Sequence, residues 1–128
     1  MKFYKELLMD HFKNPRHQGT LENPDFSTDR YNPSCGDSIS IEGCVKDGIV
    51  TELAFTGSGC VISQATASIL SEFCIGKSVD DILAIKKEDV PKLIGLDNLG
   101  PTRRKCAILS LIALQDGLLE YKKKEKDH

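Results

Sequence analysis

The sequence predicts an α+β fold in which helices pack on one face of a small antiparallel sheet. Phe3, Leu7, Leu8 and Phe12 recur at helical spacing in the first dozen residues. Two alternating runs between residues 38 and 56 are joined by a tight turn. Beyond Cys60 the apolar period lengthens to that of helices and stays there.

The elements follow in order. MKFYKELLMDHF is an amphipathic helix, and KNPRHQGTLENPD, with two Asn-Pro steps and a glycine, is a loop. Ile39 and Ile41 alternate with Ser38, Ser40 and Glu42. In IVTELAFT, Ile49, Thr51, Leu53 and Phe55 alternate against the rest. Lys-Asp-Gly between these runs is a hairpin turn, with Gly48 able to take positive φ. Ile62, Ala65, Ile69 and Phe73 then fit one face of a helix that Gly76 stops. Ser78 with Asp81 resembles a capping box and opens a short helix through Ile82, Leu83 and Ile85. KEDVPKLIG is another short helix or a turn, closed by Gly95. Pro101 suits the first turn of a long C-terminal helix, in which Ala107, Leu111, Leu114 and Leu118 recur. EYKKKEKDH reads as its solvated end.

At 128 residues the chain suits one domain, 1–128, large enough for a hydrophobic core. No repeat or linker interrupts it. A net charge of -2 gives no reason to expect nucleic acid or an anionic membrane as partner. No apolar run approaches the roughly 18 residues of a membrane span, and the charged N-terminus does not read as a signal peptide. Five cysteines without an export signal point to the cytoplasm, where thiols stay reduced. Their odd number argues against a fully paired disulfide framework.

The cysteines divide by position. Cys35 precedes the first alternating strand, Cys60 separates the second strand from its helix, and Cys106 falls in the first turn of the last helix. Junctions of this kind let side chains project into one opening, and a helix N-terminus favours thiolate over thiol. Cys44, inside a strand, and Cys74, near a helix end, read as small buried hydrophobes. Asp37 lies two residues past Cys35, on the same side of an extended chain, and is a candidate fourth ligand. Three thiolates and a carboxylate need compensation, which a divalent metal together with Arg103, Arg104 and Lys105 would supply. Gly36, Gly57 and Gly59 let the backbone approach whatever the thiols hold. With no CxxC pair, spacing alone leaves a metal site and a set of unrelated thiols equally open. It also argues against a thiol redox enzyme. His11 reads as a partly exposed helix residue, His17 as a loop residue and His128 as a chain end, none of them a ligand.

NPSCGD (32–37), GSGCVISQATAS (57–68) and LGPTRRKCAILSLIAL (99–114), taken in order, resemble the three cysteine motifs of the U-type iron–sulfur scaffold family, which includes IscU, SufU and the N-terminal domain of NifU. YKELLMDHFKNPRHQG and GKSVDDILAI are similar to that family's first and middle helices. The resemblance implies a three-stranded antiparallel sheet covered by helices, with the cysteines at one exposed end. It implies a non-enzymatic scaffold that accepts sulfur from a cysteine desulfurase, takes iron from an iron donor, holds a transient [2Fe–2S] cluster and passes it to recipient proteins. Cys35, Cys60 and Cys106 are then the thiolate ligands and sulfur acceptors, and Asp37 the carboxylate that keeps the cluster labile or binds zinc. Lys105 stands where the IscU branch has histidine. A protonated lysine cannot ligate, so it is expected to pair with Asp37 or the thiolates. That resembles the SufU branch, which implies zinc in the isolated protein and a sulfurtransferase role, although the insertion SufU proteins carry before the third cysteine is missing. Leu-Gly-Pro-Thr-Arg replaces the Leu-Pro-Pro-Val-Lys segment that DnaK-type chaperones recognise, matching it only at Leu99, Pro101 and the basic Arg103; recognition by such a chaperone is not expected.

Replacing Cys35, Cys60 or Cys106 by alanine is expected to abolish cluster loading, whereas Cys44→Ala and Cys74→Ala should lower thermal stability and still load. Absorption spectra and circular dichroism on the five variants check the division.

Overall fold

The structure, a computed structural model, describes residues 2–33, 36–95 and 100–126. Helix α1 (Lys2–Lys13) precedes strands β1 (Phe26–Asn32), β2 (Asp37–Lys46) and β3 (Ile49–Ser58), which are followed by helices α2 (Val61–Cys74), α3 (Val79–Leu83), α4 (Asp89–Leu93) and α5 (Pro101–Lys126). The strands form one antiparallel sheet in the order β1-β2-β3. Asp47 and Gly48, both at positive φ, turn the β2–β3 hairpin, as Lys-Asp-Gly predicts. Ser78 caps α3 by accepting the Asp81 N–H at 3.0 Å. Among the described residues, no helix is long and apolar enough to cross a membrane.

Register decides where the chemistry gathers. Asn32 pairs with Asp37, and Ser38 pairs with Ser58, so the end of β1, the start of β2 and the end of β3 meet at one sheet edge. The chain leaves β3 there and enters α2 two residues later.

Periodicity does not reveal β1, which among the readings above only the family resemblance implies. Its sequence, FSTDRYN, buries only Phe26 and alternates no apolar residues. Its ladder with β2 and polar contacts to α5 hold it: the Thr28 hydroxyl donates to the Ala113 carbonyl at 2.7 Å, and Arg30 pairs with Asp116.

One apolar cluster, including Ile39, Ile41, Phe55 and Leu114, fills the space between the sheet and α5. A second, including Leu8, Leu70, Val90 and Leu111, joins α1, α2, α4 and α5. Between them α2 is buried nearly all round rather than along one face, using Ser63, Thr66, Ala67, Ser68 and Ser71. Small side chains let helices approach closely on several sides. Phe73, expected on the buried face, is 41% exposed and carries the Lys77 ammonium 4.3 Å from its ring centroid.

His11 also departs from expectation. It is buried, with Nδ1 2.8 Å from the Ser68 hydroxyl, which also accepts the Arg16 N–H. Burial, then the Arg16 charge, hold its pKa below the ordinary imidazole value, against the opposing pull of Glu72 and Asp10. The unfolded chain therefore takes up this proton first. Its contribution to stability is complete above about pH 6.5 and is lost as pH falls below that value. Thermal melts between about pH 7 and pH 5 should show a decline in Tm that His11→Asn makes shallower.

Candidate metal centre

The β3–α2 junction is built around a glycine and an extended cysteine. Gly59 takes φ 144°, and Cys60, the N-cap of α2, has φ -75° and ψ 167°, so the chain turns sharply out of the sheet. The Cys60 side chain makes no capping hydrogen bond to the helix. The junction is held by Ser63, whose hydroxyl donates to the Cys60 carbonyl at 3.2 Å, and by Gln64, whose amide donates to the Gly59 carbonyl at 3.1 Å.

Asp37, the first residue of β2, points into this turn and is 1% exposed. Its Oδ1 accepts the Cys60 N–H at 2.9 Å, and the Cys60 thiol lies 3.5 Å from Oδ2. A Cβ on Gly59 would overlap the Asp37 carboxylate, and φ 144° is a conformation that side-chain-bearing residues rarely adopt. Glycine at 59 is thus required twice over.

The third group comes from α5. Because Pro101 starts that helix, Cys106 lies about 1.4 turns in rather than in the first turn. It is accordingly buried, at 3% exposure, while Cys60 is exposed. One carboxylate oxygen of Asp37 and the sulfurs of Cys60 and Cys106 all lie within 4.8 Å of one another. Tetrahedral coordination at about 2.0–2.3 Å puts ligand atoms about 3.3–3.8 Å apart, so modest side-chain movement would close the three on one ion. The donor set fits a metal on charge as well: a carboxylate and a thiol, both almost out of water, ionise together only beside a cation. Mixed sulfur and oxygen donors suit zinc or iron.

Of the other candidates, Cys35, Leu99 and His128 lie outside the described residues. Gly36 turns the chain into β2 at φ 74°, its N–H donating to the Asn32 carbonyl at 2.8 Å. Arg103, Arg104 and Lys105 are exposed, and among the described residues none of them joins an ion pair. Lys105 is expected to pair with Asp37 or the thiolates; among the described residues it forms no ion pair with Asp37, and the Cys35 thiolate lies outside them. Neighbours in a helix are rotated by about 100°, so Cys106 turns inward and Lys105 outward. His17 lies in a loop against β3. Cys74 is fully buried, and desolvation pushes its thiol up to about 12. Cys44 is only half-buried, because even-numbered positions of β2 face away from the helices; its thiol approaches the Asn23 carbonyl at 3.6 Å, and burial raises its pKa too. Both thiols are inert by these criteria. The Cys60 main-chain amide is a partner that sequence reasoning missed, since no side-chain pattern announces a backbone donor.

Comparison with known proteins places this geometry in a family. Residues 3–128 match the model of the NifU-like N-terminal domain. The zinc-dependent sulfurtransferase SufU of Bacillus subtilis is 35% identical over 90% of this chain and 88% of its own length. The iron–sulfur cluster assembly scaffold protein IscU of Escherichia coli is 32% identical over 96% of this chain and 97% of its own. The N-terminal part of a nitrogen-fixing NifU-like protein from Brucella abortus superposes with a TM-score of 0.78 over 94% of this chain and 95% of that one; at 22% identity the likeness is one of fold. The chain belongs to the NifU-like N-terminal domain family.

Proposed function

We propose that this protein is a scaffold on which iron–sulfur clusters are assembled, with Cys35, Asp37, Cys60 and Cys106 as the ligands. The observation that carries this is the convergence of the Asp37 carboxylate with the sulfurs of Cys60 and Cys106 at one sheet edge. Iron and the [2Fe–2S] cluster are cargo, received and released. Relatives named as IscU scaffolds support the same role.

The unequal burial of the ligands suits a division of labour. Exposed Cys60 is the group a sulfur donor reaches. Its thiolate attacks the outer sulfur of a cysteine persulfide on the desulfurase. A new S–S bond forms on Cys60, the donor's S–S bond breaks, and the donor leaves as a thiolate, with no net oxidation. Cys106 and Asp37, nearly buried, are the fixed ligands. Oxygen ligation by Asp37 is weaker for soft iron than a fourth thiolate, which favours later transfer to a recipient protein.

A second reading is a zinc-dependent sulfurtransferase, in which zinc holds the thiols until persulfide sulfur arrives. It is favoured by Lys105, which cannot ligate as a histidine there would, and by the likeness to SufU of Bacillus subtilis. The same three-donor pocket accepts either metal.

Anaerobic reconstitution with ferrous iron, cysteine and a cysteine desulfurase separates the two. The scaffold role is expected to give the visible absorption of a [2Fe–2S] cluster. Retained zinc, no such absorption and a faster desulfurase would overturn it for the sulfurtransferase. In the same assay Gly59→Ala, which displaces Asp37, should weaken metal binding by about 10- to 100-fold. Its helical circular dichroism should persist; wild-type loading by that variant would remove Asp37 from the ligand set.

A further inference from the structure

Behind each described thiol of the centre sits a buried serine. Ser63 follows Cys60 by three residues in α2, and Ser110 follows Cys106 by four in α5; both are almost wholly out of water. A spacing of four puts Ser110 on the same face of α5 as Cys106. The Ser110 hydroxyl donates across the helix interface to the Ser63 carbonyl at 3.5 Å, and the Ser63 hydroxyl donates to the Cys60 carbonyl at 3.2 Å. Two hydrogen bonds in series thus run from α5, one turn past Cys106, to the main chain of Cys60.

Packing alone does not call for hydroxyls at these places. Serine is a poorer helix former than alanine, and a buried hydroxyl gains little over a methyl because its bond replaces bonds to water. Alanine already fills buried positions 65 and 67 of α2 and 107 and 113 of α5. What a hydroxyl adds is direction, since a hydrogen bond restricts rotation and sliding of one helix on another. The Ser110–Ser63 contact is long and adds little stability, so its loss is expected to show in the geometry of the site and not in the fold.

A metal centre divided between helices needs such a restriction. The Asp37 bond to the Cys60 N–H ties the sheet to the start of α2, and the Ser110–Ser63 bond ties α2 to the helix that brings the third donor. The three donor atoms lie within 4.8 Å of one another, and a shared ion draws them to about 3.3–3.8 Å. A slip of α5 along α2 by a few tenths of an ångström would consume much of that margin.

We propose that Ser110 is a positioning residue of the metal centre, which acts through Ser63 to set the place of Cys106 relative to Cys60. The proposal rests on the metal-binding role argued above.

Cobalt(II), a spectroscopic substitute for zinc and ferrous iron, tests it when titrated without oxygen into the full chain after metal removal. The proteins compared are wild type, Ser110→Ala and Thr66→Ala. Thr66 is the control, a fully buried α2 hydroxyl one turn beyond Ser63 with no hydrogen-bond partner. Wild type is expected to show thiolate-to-cobalt charge-transfer bands and the d–d bands of a tetrahedral site. Ser110→Ala should bind cobalt about tenfold more weakly and shift the d–d bands, with helical circular dichroism unchanged. Thr66→Ala should keep the wild-type bands and affinity. A Ser110→Ala protein with wild-type bands and affinity overturns the positioning role and leaves the metal centre standing. So does a loss of helical circular dichroism in that variant, or an equal band shift in Thr66→Ala, either of which makes the effect one of general packing. A wild-type protein without thiolate-to-cobalt bands overturns the metal centre itself.

Discussion

One hydrogen bond ties the sheet to the helices at the end where the chemistry gathers: the Asp37 carboxylate accepting the main-chain N–H of Cys60 at 2.9 Å. A bond to a charged acceptor is worth about 1.5–3 kcal/mol, and leaving a buried carboxylate without it costs more. It fixes the start of β2 against the start of α2. Asp37 is almost wholly out of water, and while Oδ1 holds this bond, Oδ2 lies 3.5 Å from the Cys60 thiol. The positive φ of Gly59 and the absence of a side chain there both serve this contact. The rest of the centre is arranged around it.

The surrounding packing sets unequal access to the two described thiols. Helix α2 is lined with small residues and hydroxyls, so it sits close to its neighbours and delivers Cys60 at its exposed N-cap. Helix α5 carries Cys106 one turn deeper, beneath its own first turn. A site with one thiol at the surface and a thiol and a carboxylate within is suited to receiving an atom from outside and holding it inside. A buried structural site with four closed thiolates would resist both entry and release.

The charge pattern follows the same geometry. Asp37 and Cys106 lie within, and three cations cluster on the adjoining surface, on a helix end that by itself disfavours them.

The sequence by itself determined the helix–hairpin–helices order, since α1, β2, β3 and the later helices carry their own periodicity, turns and caps. It also separated Cys74 from Cys60 and Cys106, because the thiols that converge stand at or near element boundaries. Tertiary structure decided the rest. Strand β1 has no apolar alternation to betray it and is held by its ladder with β2 and by Thr28 and Arg30 contacting α5. The half-exposure of Cys44, the burial of His11 and the outward turn of Lys105 depend on which face a neighbour covers, which a period of two or 3.6 does not specify. Local pattern reports a residue's own backbone; the distance from Asp37 to Cys106 is set by register and by helix packing across about seventy residues of chain, and those are properties of the assembled core alone.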